Sequence, residues 1–256
     1  MGPDEGKKRV IWSPRTSRRT APQGSAPEGN RIYAIGDIHG RLDLLDSVIA
    51  RIDTDMGAHP ASNAIRIFLG DYIDRGPDSN RVLDRLVNYC AIQPTVCLMG
   101  NHEAFLREFL ENPDVLTVWR RCGGLDTLLS YGLAPKIETN AQDQRELASE
   151  LDRVLPRSHR EFLSGLKQYF ICGDFFFVHA GVRPGICLTK QSEDDLLWIR
   201  EEFLFYENSF GKVVVHGHTP VLEPDVRPNR INIDTGAYAT GRLTCLVLEG
   251  DKIRFI

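Results

Sequence analysis

The stretch Arg31-Ile32-Tyr33-Ala34-Ile35-Gly36-Asp37-Ile38-His39-Gly40 decides the fold class. Residues 32–35 form an apolar run of the length and composition of a buried strand. The run breaks at a glycine into a short polar cluster. Beyond it, Leu42, Leu45, Val48, Ile49 and Ile52 recur at helical spacing. Strand, polar turn and helix make the unit from which α/β sheets are wound. The unit returns. Residues 65–69 read as a strand ahead of Gly70-Asp71-Tyr72-Ile73-Asp74-Arg75-Gly76, and Val82, Leu83, Leu86 and Val87 mark the next helix. Residues 95–99 form a third strand that ends in Gly100-Asn101-His102-Glu103. Residues 104–167 read as a helical, arginine-rich insertion. Residues 175–178 and 213–215 read as further strands, and 231–233, 243–248 and 253–256 as a late β-meander. The expected class is therefore α/β (α+β).

The composition narrows the possibilities. The 256 residues suffice for one large domain, and 42% hydrophobic content supports a substantial core. A net charge of −4 lacks the basic excess of a nucleic-acid-binding protein. No run approaches the ~20 apolar residues of a membrane span, and the basic Lys7-Lys8-Arg9 is followed by no secretory hydrophobic region. The six cysteines are scattered without a C-x-x-C pair, which points to buried free thiols in a reducing cytoplasm. Residues 1–29 are rich in Pro, Gly, Ser and charge, with six Lys or Arg against three Asp or Glu. They read as a disordered basic tail, either a solvated extension or a tether to an acidic partner. Residues 30–256 then form the folded domain.

Five apolar runs end directly in polar clusters: the three already quoted, then His179-Ala180-Gly181 and His216-Gly217-His218-Thr219. Five of the seven histidines lie in them. Sites in α/β sheets gather at the carboxyl ends of strands, so five strand ends would offer Asp, His and Asn to one place. Carboxylate, imidazole and amide oxygen without thiolate suit manganese, iron or zinc. Two cations a few ångströms apart need a bridging anion, which an aspartate can supply. Such a pair holds a hydroxide near neutral pH and clamps both the attacking and the leaving oxygen.

These blocks, in this order, resemble the metallophosphoesterases of the serine/threonine phosphoprotein phosphatase type. The resemblance spans roughly residues 31–250. Gly123-Gly124-Leu125-Asp126-Thr127-Leu128, Ser130-Tyr131-Gly132 and Leu197-Trp198-Ile199-Arg200 are similar to the bacterial and phage branch. The resemblance implies a β-sandwich flanked by helices. It implies two divalent metals, manganese first and iron or zinc as alternatives. It puts Asp37, His39 and Asp71 on one metal, with Asp71 bridging to a second completed by Asn101, His179 and His218. It implies that His102 is the general acid, with Asp74 fixing its tautomer, and that Arg75 and Arg200 grip the phosphate. Tyr238 is its loosest transfer.

Other readings stand beside these. Arg200-Glu201-Glu202 also reads as a solvated charged run. His216 reads as a packing or supporting residue, and Glu103 as a local hydrogen-bonding one. His59 and His159 read as surface residues. Arg107, Arg120, Arg121, Arg145, Arg153, Arg157 and Arg160 read as a helical solvent face, with a substrate-facing subset as the alternative. The expected activity is hydrolysis of a phosphoserine or phosphothreonine protein or peptide by direct attack of a bridging hydroxide. The alternative substrate is a dinucleoside polyphosphate such as diadenosine tetraphosphate. A phosphoprotein-binding module without turnover is the third reading, against which the intact His102, Asp74 and metal set argue.

Overall fold

The computed structural model describes residues 22–136 and 140–256. Strands β1 (Asn30–Ile35), β2 (Asn63–Phe68) and β3 (Thr95–Cys97) are parallel neighbours. They are joined by helices α1 (Leu42–Ala58) and α2 (Ser79–Ile92), as right-twisted βαβ units require. Helices α3 (Asn101–Glu111), α4 (Leu116–Trp119), α5 (Gly124–Ser130), α6 (Ala141–Val154) and α7 (Arg157–Ser164) fill the stretch expected to be helical. The second sheet begins with β4 (Tyr169–Cys172) and β5 (Phe175–Val178). After helices α8 (Glu193–Trp198) and α9 (Glu201–Leu204) it continues with β6 (Val213–His216), β7 (Asp225–Val226) and β8 (Arg230–Asn232). Helix α10 (Ala237–Thr240) leads back to β9 (Cys245–Glu249) and β10 (Lys252–Phe255), which complete the first sheet. The sheet orders are β10-β9-β1-β2-β3 and β4-β5-β6-β8-β7.

The two-residue period of the strands sorts their side chains into layers. Ile32 and Ala34 of β1, Phe175 and Phe177 of β5, and Val213 and Val215 of β6 meet between the sheets. Tyr33 and Ile35 face the other way, onto α1, α2 and the helices around α3. Phe176, Val178 and Val214 pack outward on Leu196, Ile199 and Phe203. Both faces of the central strands are covered, which is why they read as continuous apolar runs rather than as alternation. The result is a β-sandwich flanked by helices.

Three expectations need correction. The late meander does not form: β8 belongs to the second sheet, and only β9 and β10 pair as a hairpin in the first. The crossing follows the turn at Asp234 and Gly236, which carries the chain from one sheet to the other. His159 is buried, with Nε2 2.9 Å from Asp84 Oδ1 and Nδ1 2.7 Å from the Tyr131 hydroxyl, so it ties α7 to α2 and to the end of α5. The tail expected over 1–29 is docked where it is described: Pro22 and Ala26 are buried, and Ala26 N–H donates to Gly250 O at 2.9 Å. Residues 1–21 lie outside the described residues. All six cysteines are free thiols; Cys245 is fully buried and Cys187 is exposed. Among the described residues no helix is long and apolar enough to cross a membrane.

Candidate active site

Each sheet contains a parallel trio, β1-β2-β3 and β5-β6-β8. The carboxyl ends of both trios open on the same edge of the sandwich. The loops leaving them are stitched together by main-chain bonds. Ile38 N–H and His39 N–H both donate to Asp71 O, at 3.0 and 2.8 Å, and Gly217 N–H donates to His179 O at 2.8 Å. His179 Nδ1 lies 3.0 Å from Leu69 O and so joins one sheet to the other.

Among the described residues, the five non-glycine residues with positive φ are His39, Asp71, Asp74, Arg75 and His218, at 48° to 71°. All belong to this edge. Side chains in the left-handed region cost of order 1–3 kcal/mol each and persist only where their surroundings hold them. Glycine is required at two contacts. A Cβ on Gly100 would collide with the Asp71 carboxylate, and one on Gly217 with that of Asp37.

Asp71 is the centre. Its Oδ2 lies 3.5 Å from His39 Nε2 and 3.7 Å from His102 Nε2, and its Oδ1 lies 3.4 Å from His179 Nε2. Two groups able to hold a cation share it: His39, Asp71 and His102, and Asp71, His179 and His218. Asn101 Oδ1 stands 2.9 Å from both His179 Nε2 and His218 Nδ1. Asp37 falls outside the two groups. Its Oδ2 accepts from His218 N–H at 3.0 Å, and its Oδ1 is buried without a partner. Nδ1 of His39 lies 2.9 Å from Ile73 O. A carbonyl can only accept, so the protons of His39 and His179 sit on Nδ1, and each Nε2 lone pair faces Asp71. Buried carboxylates, imidazole lone pairs, an amide oxygen and an orphaned Asp37 Oδ1 form a donor set that fits divalent cations.

The electrostatics follow from burial. Burial alone would push the Asp71 carboxyl up, but His179, His102, His39 and His218 outweigh it and hold the group below the usual carboxylate range. Burial, then Asp234 and Asp71, pushes the Asp37 carboxyl well above that range. Burial lowers His39 to about 3, and burial followed by His179 lowers His218 to about 2. His102 is raised: burial opposes the shift, and Asp71 and Asp74 overcome it.

Around this centre the structure brings together the other residues singled out from the sequence. His102 Nδ1 lies 2.6 Å from Asp74 Oδ2, which also accepts from Trp119 Nε1 at 2.7 Å. Arg75 donates from Nη1 to His39 Nε2 at 3.1 Å and from Nη2 to His102 Nε2 at 3.2 Å. Arg200 Nε donates to His218 Nε2 at 3.2 Å, so its guanidinium reaches the site although Arg200, Glu201 and Glu202 are all exposed. The Tyr238 ring stands edge-on to His39 and 4.6 Å below the Arg75 guanidinium. The Glu103 carboxylate accepts from the main-chain N–H groups of Gly100, Asp71, Tyr72 and Ile73. Burial, then Asp71, pushes it up to about 8. His216 is fully buried against Phe203 and takes no part in the centre.

Three contributors went unmarked in the sequence. Asp234 is buried beside Asp37, and burial pushes its carboxyl up to about 6. It follows β8 in Ile233-Asp234-Thr235-Gly236, the same strand-end pattern as the other clusters, so that pattern could have found it. Trp119 and Thr127 hold the Asp74 carboxylate from the helical stretch. Thr127 lies in the Gly123–Leu128 block, but only the fold shows what it touches.

Comparison with known proteins agrees with this architecture. The profile of the calcineurin-like phosphoesterases matches residues 30–243. The asymmetrical bis(5'-nucleosyl)-tetraphosphatase PrpE of Oceanobacillus iheyensis is 26% identical over 233 residues, covering 84% of this chain and 87% of its own. A zinc-dependent endopolyphosphatase of Saccharomyces cerevisiae is 32% identical over 169 residues, covering 61% of this chain and 48% of its own. Among solved structures, a putative diadenosine tetraphosphatase superposes with a TM-score of 0.60 at 19% identity, covering 92% of this chain and 95% of that one. A cold-active protein-tyrosine phosphatase of a Shewanella species superposes with a TM-score of 0.56 at 16% identity, covering 88% of this chain and 77% of that one. At these identities the superpositions establish the fold alone. The family match covers most of the chain, and the chain belongs to the calcineurin-like phosphoesterases, as a metal-dependent phosphoesterase.

Proposed function

We propose that this protein hydrolyses dinucleoside polyphosphates of the diadenosine tetraphosphate kind at a P–O–P bond. One observation carries the reading: the Asp71 centre is flanked by two exposed aromatic rings. Tyr238 stands against His39 on one side, and Trp198 stands 6.1 Å from the His218 ring on the other. A substrate with a phosphate chain between two nucleosides matches cations and guanidinium groups between two stacking surfaces. The tetraphosphatase relatives that align over most of the chain support the same reading. The phosphoserine or phosphothreonine substrate expected first from the sequence becomes the second choice.

In this reading Asp37, His39 and Asp71 would hold one cation, and Asp71, Asn101, His179 and His218 would hold the other. When bound, such cations would supply activated water near neutral pH and neutralise charge on the reacting phosphate. Arg75 and Arg200, poised at the edges of the centre, take phosphate oxygens in their planar forks. His102, oriented through Nδ1 by Asp74, is placed to give a proton from Nε2 to a departing oxygen that needs one, once protonated and with Arg75 turned from it to the phosphate. Manganese is the first choice of metal, and iron and zinc suit the same donors.

The test compares kcat/KM for diadenosine tetraphosphate and for phosphoserine and phosphothreonine peptides, with one manganese-loaded preparation at one ionic strength. The expected result favours the dinucleotide by at least a hundredfold, on the order of 3 kcal/mol. A hundredfold preference for the peptides would overturn the reading and leave the metal chemistry in place.

A further inference from the structure

We propose that the cleft between α3 and α8 is a nucleoside subsite, in which the Trp198 indole stacks on a nucleobase of the substrate. The inference rests on the dinucleotide reading and gives one end of that substrate its place. The cleft encloses about 350 Å³ and is lined by Phe105, Arg107 and Glu108 of α3 and by Glu193, Asp194 and Trp198 of α8. That volume lies at the lower end of ordinary ligand clefts, about 300–1,000 Å³.

Trp198 is 36% exposed, yet its ring is gripped on two sides. The Phe105 ring stands 5.1 Å away at 72°, and the His218 ring 6.1 Å away at 86°. Phe105 is itself buried and lies 6.4 Å from the His102 ring. The indole is therefore an oriented platform next to the reaction centre, set across both neighbouring rings, and its exposed third is the part open to a ligand. A base stacked on such a ring typically strengthens binding by about 5–150-fold.

Charge gives the direction in which the substrate lies. At the centre, Arg75 and Arg200 face the histidines, where an anionic chain belongs. The cleft is acidic. Glu108, Glu193 and Asp194 line it, and its Arg107 is paired with Glu193 at 2.7 Å across the two helices. A polyphosphate would be repelled there. A nucleoside carries no charge, and its ribose hydroxyls and exocyclic amine donate hydrogen bonds that carboxylates accept. Cationic centre and acidic flank thus reproduce the alternation of an anionic chain with a hydrogen-bond-donating end. A peptide with basic residues beside its phosphate would meet the same carboxylates, so it is the competing occupant.

The experiment uses the full chain, with diadenosine tetraphosphate and inorganic tripolyphosphate as substrates. The second has the phosphoanhydride but no nucleoside. Trp198 leans on His218, so a loss common to both substrates reports the metal centre and cancels in the ratio. Trp198→Ala is expected to reduce kcat/KM for the dinucleotide at least about tenfold more than for tripolyphosphate, and Trp198→Phe to recover most of that difference. Asp194→Lys, an exposed change with little bearing on folding, should move the ratio the same way. Metal-free adenosine is expected to quench indole emission saturably in the wild type and not in Trp198→Phe. Equal losses on both substrates, no quenching by adenosine, or an Asp194→Lys penalty confined to basic phosphopeptides would each overturn the subsite. Wild-type failure to cleave diadenosine tetraphosphate would instead overturn the functional reading on which it rests.

Discussion

At Asp71 one carboxylate belongs to both groups able to hold a cation, and its surroundings fix it in place. Its φ of 53° turns the side chain inward, and Gly100 makes room for it. Its own N–H is held by Glu103 at 2.8 Å. An amide bridges two cations poorly, so Asp71→Asn should bind at most one metal per chain instead of two and lose turnover. Elemental analysis alongside the hydrolysis assay checks this, and two bound metals with near-normal activity would refute the bridge. His102 makes a different prediction, because it depends on the bond being broken. A nucleotide departs from a phosphoanhydride with little need of a proton, whereas an alkoxide needs one. His102→Asn should therefore slow alkyl phosphate esters by ~10²–10⁴-fold and diadenosine tetraphosphate by less than about tenfold. Rates on the two substrates, taken with the same metal loading, decide it. Similar losses on both would mean that His102 orients the site rather than donating the proton. These residues were legible because each sits where an apolar run stops at a glycine. Asp234 obeys the same rule, but the strand before it, β8, is only three residues long. The bonds from Trp119 and Thr127 to Asp74 bridge 45 and 53 positions, and no local pattern encodes them.

Burial made the central strands legible, and apolar content alone sufficed for the edge strands β3 and β10. The strands read from residues 32–35, 65–69 and 213–215 lie in the centres of the sheets, where both faces are apolar. The edge strand β4 went unread because its aromatic run, half exposed, merges with the end of the helical stretch. The two-residue β7 has no period to detect. The partners of each strand were not legible, since apolar pattern sets which faces are covered and not which neighbour covers them. Polar ties between elements were equally silent, and Asp55 near the end of α1 is the best instance. It accepts from the Tyr33 hydroxyl of β1 and from Arg254 Nη2 of β10, each at 2.6 Å, and lies 3.5 Å from Arg31 Nη1. Hydrogen bonding from Arg254 lowers its carboxyl to about 2, against the cost of burial. A depressed folded-state value means that the contribution to stability is complete above the unfolded value near 4. It then fades as pH falls through the folded one. Asp55→Asn is thus expected to destabilise by about 1–3 kcal/mol at neutral pH, and the gap to wild type should narrow between pH 4 and 2. Urea unfolding at a series of pH values measures both. A gap that stays constant with pH would show that shape rather than charge holds α1 to the sheet.

The molecule as a whole separates its chemistry from its closure. The carboxyl ends of both parallel trios carry the site, so the opposite end of the sandwich is left to be sealed, and residues 22–29 seal it. Ser25 N–H donates to Asp174 Oδ2 at 3.0 Å, and Asp174 N–H donates back to Ser25 O at 3.1 Å, on the turn that enters β5 of the second sheet. Ala26 N–H donates to Gly250 O in the β9–β10 turn of the first sheet, and its methyl joins the core between the sheets. One short segment thus clasps both sheets. Composition misjudged it because the bonds are made by the main chain, which Pro, Gly and Ser carry as well as any residue. The consequence is a truncation experiment with two cut points. A chain starting at residue 22 keeps the clasp, and one starting at residue 30 loses its three bonds to the sheets, two between main-chain groups and one to the Asp174 carboxylate, and two buried apolar side chains. At about 1 kcal/mol per bond plus the exposed apolar area, the second chain should be less stable by roughly 3–5 kcal/mol. For a domain of this size that lowers the melting temperature by about 6–20 °C relative to the first chain. Below its transition the shorter chain should still hydrolyse an aryl phosphate at a rate close to that of the longer one, because the clasp and Asp71 lie at opposite ends of the same strands. Equal melting temperatures would show that the clasp adds nothing to the seal. A loss of activity in a chain that remains folded would show that the far end of the sandwich controls the site.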